Sequence, residues 1–156
     1  MSPSNVPNAA THTEKTPVSE TRSASTGLLE AFETQSLAPG EFRHRDHVEI
    51  AWIYLQRFPL LAALQKVVQG IQDLAGALGA DGLYHETITW AYVLLVHERI
   101  QDNPQATWTQ FAEANADLFT WKPSILEEYY REETLWSDRA RQSFLMPDRI
   151  AGPKSR

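Results

Sequence analysis

A chain of 156 residues is long enough for one domain and short for two. Hydrophobic residues make up 42% and charged residues 22%, and there is no cysteine, which excludes disulfides, thiolate nucleophiles, zinc fingers and iron–sulfur clusters. Net charge is −6 from 20 acids and 14 bases; the first 26 residues are neutral and the last nine carry +2, so the middle carries −8, the wrong sign for a phosphate-tracking surface. No run approaches the ~18 apolar residues that cross a bilayer, and the N-terminus lacks a secretory apolar stretch. The expectation is a cytoplasmic protein with neither nucleic acid nor membrane as partner; oligomeric state is not legible.

Residues 1–26 hold 15 Ser, Thr, Pro or Asn, with only Met1, Val6 and Val18 as sizeable apolar side chains. Such a segment buries too little to offset its ordering entropy, so a disordered leader is predicted that is dispensable for stability. Leu28, Leu29 and Phe32 then share one face of a short helix over 27–36, broken by Ala38-Pro39-Gly40. A second helix covers about 45–58, and Pro59 ends it while opening a third over 59–78. That third helix carries a stripe of Leu60, Leu64, Val67, Val68, Ile71 and Leu74, and Gly79 is its stop.

A fourth helix is predicted over 84–101. Thr107 and Gln110 form a capping-box signature for a fifth near 108–118. Pro123 opens a sixth through Tyr130, and Ser137-Asp138 opens a seventh reaching Phe144. From Pro147 the tail (147–156) looks unpacked. No alternating run competes for a strand. The fold class is therefore all-α, a compact single-domain bundle of about six to seven helices over 27–146.

Four of five histidines fall in or beside the second and fourth helices. His44 and His47 are three apart, hence neighbours on a face continued by Ala51, Tyr54, Leu55 and Phe58. The fourth helix opens Tyr84-His85-Glu86-Thr87, and His85 aligns with Thr89, Tyr92 and Val96. His97 lies three turns from Glu86, roughly 16 Å at 1.5 Å per residue, so the two cannot share an ion. Short links make the second and fourth helices parallel, which brings both starts to one end. The predicted site is His44, His47, His85 and Glu86.

Imidazoles with a carboxylate and no thiol suit a divalent ion such as Fe, Zn, Mn or Cu. The leading expectation is thus a small metal-dependent enzyme acting on a small organic molecule, oxidatively with iron or copper, with Glu86 as fourth ligand or general base. Trp52, Tyr84, Trp90 and Arg141 are expected at its substrate pocket, and Arg43 and Arg45 could neutralise a ligand carboxylate. The alternatives are metal-free acid–base work by the same histidines and a non-catalytic helical binding or interaction module, in which buried histidines bond carboxylates such as Asp46 or Glu86 and hold helices in register.

Three motifs occur in order: Phe42-x-His44-x-x-His47, Tyr84-His85-Glu86-Thr87-x-Thr89, and Ser137-x-x-Ala140-Arg141-x-x-Phe144-x-x-Pro147-Asp148. On these, residues 42–148 resemble a family of small hypothetical bacterial all-helical proteins. The resemblance implies that the histidine motifs and the Ala140-Arg141/Pro147-Asp148 ending belong to one unit. It implies no substrate and no catalytic residue.

Overall fold

A computed structural model describes residues 17–80, 82 and 84–149, with side chains from residue 24 onward. Among these residues the fold is all-α. Its helices are α1 (Pro17–Glu33), α2 (His44–Arg57), α3 (Leu60–Ala77), α4 (Glu86–Asp102), α5 (Trp108–Ala114), α6 (Glu132–Leu135) and α7 (Asp138–Gln142). Short 3₁₀ turns cover Ala116–Phe119 and Ile125–Glu128. No helix among the described residues is long and apolar enough to cross a membrane.

The central triangle is α2, α3 and α4, each packed against the other two, with α1 against α2 and α3 and with α7 against α4. Their buried faces supply Val48, Ile50, Leu64, Val67, Val93 and Val96, as apolar stripes at helical spacing dictate. Leu64 of the third-helix stripe is buried, whereas Ile71 is only partly covered. A close approach joins α1 to α3, where the Phe32 ring lies on Gly70.

Local signals in the sequence set several ends. Gly79 has φ +65°, Ala80 N–H donates to the Ala75 carbonyl at 2.8 Å and Gly79 N–H to Gly76 at 3.1 Å, the paired bonds of a Schellman stop. Thr107 Oγ1 accepts from Gln110 N–H at 3.3 Å while Gln110 Oε1 accepts from Thr107 N–H at 3.0 Å, so the expected capping box forms.

Other boundaries differ from the sequence reading. α1 begins at Pro17 rather than 27, so part of the expected leader is helical, and Ser25 Oγ donates to Glu49 Oε1 at 2.5 Å. The rest of that leader, residues 1–16, lies outside the described residues, as do 150–156 of the expected tail. Residues 147–149 are tied down. Arg131 N–H donates to Asp148 Oδ1 at 2.8 Å, Thr134 Oγ1 donates to Asp148 Oδ2, and Arg149 N–H donates to the Tyr129 carbonyl at 2.9 Å.

Of the expected sixth helix, from Pro123 through Tyr130, only the 3₁₀ turn Ile125–Glu128 forms, and the short α6 follows it. Ser124 Oγ accepts from Leu126 N–H at 3.2 Å and so caps the start of this short 3₁₀ turn. The fifth stops at Ala114 because the Asn115 side-chain amide donates to the Phe111 carbonyl at 2.9 Å.

Candidate functional site

The starts of α2 and α4 meet at one end of the bundle. The His44 ring lies 4.7 Å from that of Tyr92, centre to centre. Between them and the C-terminal segment is a cavity of about 380 Å³. His44, His47 and His85 all line it, with Tyr84, Thr89 and Tyr92. Val67 and Ile71 of α3 and Ile88 of α4 form an apolar wall. Trp121, Trp136 and Arg141 complete the boundary from the later part of the chain.

The three histidines are held differently. His44 is the first residue of α2, and its Nε2 lies 2.7 Å from the Leu118 carbonyl. A carbonyl only accepts, so Nε2 carries the proton and Nδ1 keeps its lone pair. The ring also packs against Trp121, 5.0 Å between centres.

His47, one turn on, packs against Phe42 with ring centres 4.3 Å apart and planes tilted by 43°. No hydrogen bond to its ring is present among the described residues, and the residue lines the cavity. Burial, reinforced by His44 nearby, pushes its pKa down to about 4. Burial lowers that of His44 as well, against the opposing pull of the Leu118 bond. Both rings are neutral at pH 7.

His85 is the N-cap of α4. Its Nδ1 accepts from Ile88 N–H at 3.2 Å and its Nε2 donates to the Leu135 carbonyl at 2.7 Å. Both nitrogens are occupied, which leaves no lone pair for an ion. Its pKa is lowered, first by burial and then, after the opposing Leu135 bond, by the Arg141 charge. Glu86 occupies the first turn of α4 and does not line the cavity; its Oε2 accepts from Tyr84 OH at 2.6 Å. Among the described residues no three His, Asp or Glu converge to hold a metal ion. The ligand set read from the sequence is therefore divided: three imidazoles line the cavity, one of them with both nitrogens already bonded, and the carboxylate serves a tyrosine.

The expected pocket residues divide too. Tyr84 and Arg141 line the cavity. Trp52 instead packs on Trp108 at 5.5 Å and Phe111 at 6.3 Å, in the core toward α5. Trp90 stacks on Phe144 at 5.1 Å, and its Nε1 is buried without a partner among the described residues. Arg45, a candidate for a ligand carboxylate, lies over the rings of Trp108 and Phe119 instead.

Ile88, Thr89 and Tyr92 lie outside the predicted set although a signal existed, because they follow His85 by three, four and seven residues on one helical face. Trp121 and Trp136 had no local signal, since they reach the cavity only through the tertiary return of the chain.

Arg141 sits on α7 with its guanidinium carbon 5.7 Å from the Trp136 ring centre. No carboxylate lies within ion-pair distance of it among the described residues. Comparisons with protein-family profiles, curated proteins and solved structures return no match for this chain.

Proposed function

We propose that this protein takes up a small organic molecule in the cavity between α2, α3, α4 and α7, and that His44 and His47 exchange a proton with it without a metal ion. The observation that carries this reading is a pair of imidazoles lining one largely apolar space, His44 with only its Nε2 bonded to protein and His47 with no protein hydrogen bond among the described residues. The Leu118 carbonyl fixes the tautomer of His44 and orients its Nδ1, as a carbonyl or carboxylate does for a working histidine base. Burial keeps His47 unprotonated at neutral pH while weakening it as a base, and a carboxylate bound beside it would raise its basicity.

The metal-dependent alternative asks for more donors than the described residues bring to the cavity. A catalytic zinc site takes three protein ligands, and here the third imidazole is spent on Ile88 and Leu135. Two imidazoles that face a ligand directly are suited to general acid–base work.

A soluble fragment set screened by saturation-transfer NMR tests the reading. Hits should compete for one site, shift the His47 Hε1 resonance and vanish in Thr89→Trp, whose indole fills the cavity. Hits indifferent to Thr89→Trp, or no hits at all, would overturn it. Elution with one equivalent of iron, zinc, manganese or copper that is lost in His47→Ala would restore the metal-dependent alternative.

A further inference from the structure

Building on the cavity as a ligand site, we infer that its ligand is a flat aromatic acid with one carboxylate, held by Arg141. The charge around the cavity runs against that of the whole chain. Net charge is −6, yet among the described residues no Asp or Glu lines the cavity, whereas Arg141 does. Glu86, the carboxylate nearest in sequence to the lining histidine His85, is engaged by Tyr84. A fixed cation facing a pocket without a counter-charge is a complement to an anion.

The geometry of Arg141 leaves it ready for that anion. Its guanidinium carbon lies 5.7 Å from the Trp136 ring centre, a cation–π approach, and its N–H groups make no hydrogen bond among the described residues. Those are the donors that grip a carboxylate in bidentate fashion. Two helix starts add to the attraction: His44 is the first residue of α2, and Ile88 and Thr89 lie in the first turns of α4. Both macrodipoles therefore put their positive ends at the cavity. One cation matches one carboxylate.

Shape selects the remainder of the molecule. Trp121, Trp136 and Tyr92 offer aromatic surface, faced by Val67, Ile71 and Ile88. A volume of about 380 Å³ is near the low end of ligand cavities, which suits one or two rings. Trp121 and Trp136 are 38% and 47% exposed, so the aromatic wall opens to solvent, where a ligand can enter.

Titration of the full-length chain with matched probes tests the inference, read by calorimetry and by quenching of tryptophan fluorescence. The acids are phenylacetate and indole-3-acetate. The neutral partners are phenylacetamide and indole-3-acetamide, and cyclohexylacetate is the non-aromatic acid. Each aromatic acid should bind at least tenfold tighter than its amide and than cyclohexylacetate. Arg141→Met, which keeps the stem over Trp136, should erase the preference for acid over amide while leaving amide affinity and melting temperature unchanged. Arg141→Lys should keep part of it.

Equal affinity for acid and amide, or a preference that survives Arg141→Met, overturns the ligand class. If amides bind and are lost in Thr89→Trp, the site reading stands without that class. If cyclohexylacetate matches phenylacetate, the aromatic requirement falls. If no probe binds in a Thr89-dependent way, both readings fall.

Discussion

His85 and Leu135, fifty residues apart in the chain, are joined by a hydrogen bond of 2.7 Å from the imidazole Nε2 to the carbonyl oxygen. The same ring caps α4 through Ile88, so one side chain both starts a central helix and anchors the end of α6. A buried donor and acceptor held this way resist loss more than a surface pair would. His85→Asn keeps a good N-cap but is too short to reach Leu135, and it should cost about 1–3 kcal/mol. His85→Ala loses the cap as well and should cost about 1 kcal/mol more. Urea denaturation of the two variants checks the order.

The low pKa of His47 has a sign in stability. Its ordinary value is 6.5, and burial brings it to about 4 in the folded protein. Between those values the unfolded chain binds a proton that the native state refuses. Stability should therefore be full above pH 6.5 and fall as pH drops toward 4, by as much as about 3 kcal/mol from this group. His44 and His85, also lowered, act in the same direction. Melting temperatures measured from pH 7.5 to pH 4.5 should fall, and His47→Gln should flatten the slope.

Gly70 should be intolerant of alanine although it sits inside a helix. A methyl group there would overlap the Phe32 ring, which is 1% exposed and has no room to withdraw. Overpacking of this kind costs about 1–3 kcal/mol, against roughly 1 kcal/mol gained in helix propensity. Gly70→Ala should be destabilising overall. With Phe32→Leu added, the pair should cost less than the sum of the two single changes, which a thermodynamic cycle measures.

Ser25 is the part of the expected leader whose removal should be felt. Its hydroxyl donates to Glu49, a carboxylate only 9% exposed in α2. Ser25→Ala should cost about 1–3 kcal/mol by leaving that acceptor unpaired. Glu49→Met in the Ser25→Ala background should recover most of the loss, because two apolar partners leave nothing unsatisfied. Chemical denaturation of the single and double variants decides it.

The fold was legible where information is local. Apolar spacing marks α2, α3 and α4, and Gly79, Thr107 and Ser137 announce a stop and two starts. It was less legible from Asn115 to Trp136, where side chains such as Ser124 and Asn115 bond neighbouring backbone and turn the chain early. The composition of residues 17–26 concealed a helix that continues into Leu29 and Phe32.

At the candidate site, the sequence located the histidines without their roles. Helical spacing says that His85 can face inward, but not that its Nδ1 will take the Ile88 amide or that Leu135 will return to its Nε2. Hydrogen-bond partners from distant segments decide whether an imidazole is a ligand, a base or a cap. Trp52 and Trp90 look alike in sequence, and tertiary packing sends both away from the cavity.

The cavity borrows a wall from α2, α3, α4, the loop at Trp121 and α7. No short stretch of the chain contains it, so it exists only once every one of those pieces has docked, and contacts so far apart in sequence are late to form. A molecule bound there can therefore recognise the native state alone, and mass action makes it a clasp: at a concentration a hundred times its dissociation constant it adds about 2.7 kcal/mol to global stability. The lifetime of this chain against proteases would then follow the supply of any such molecule, a gauge of abundance arising from nothing more than the way the walls are shared.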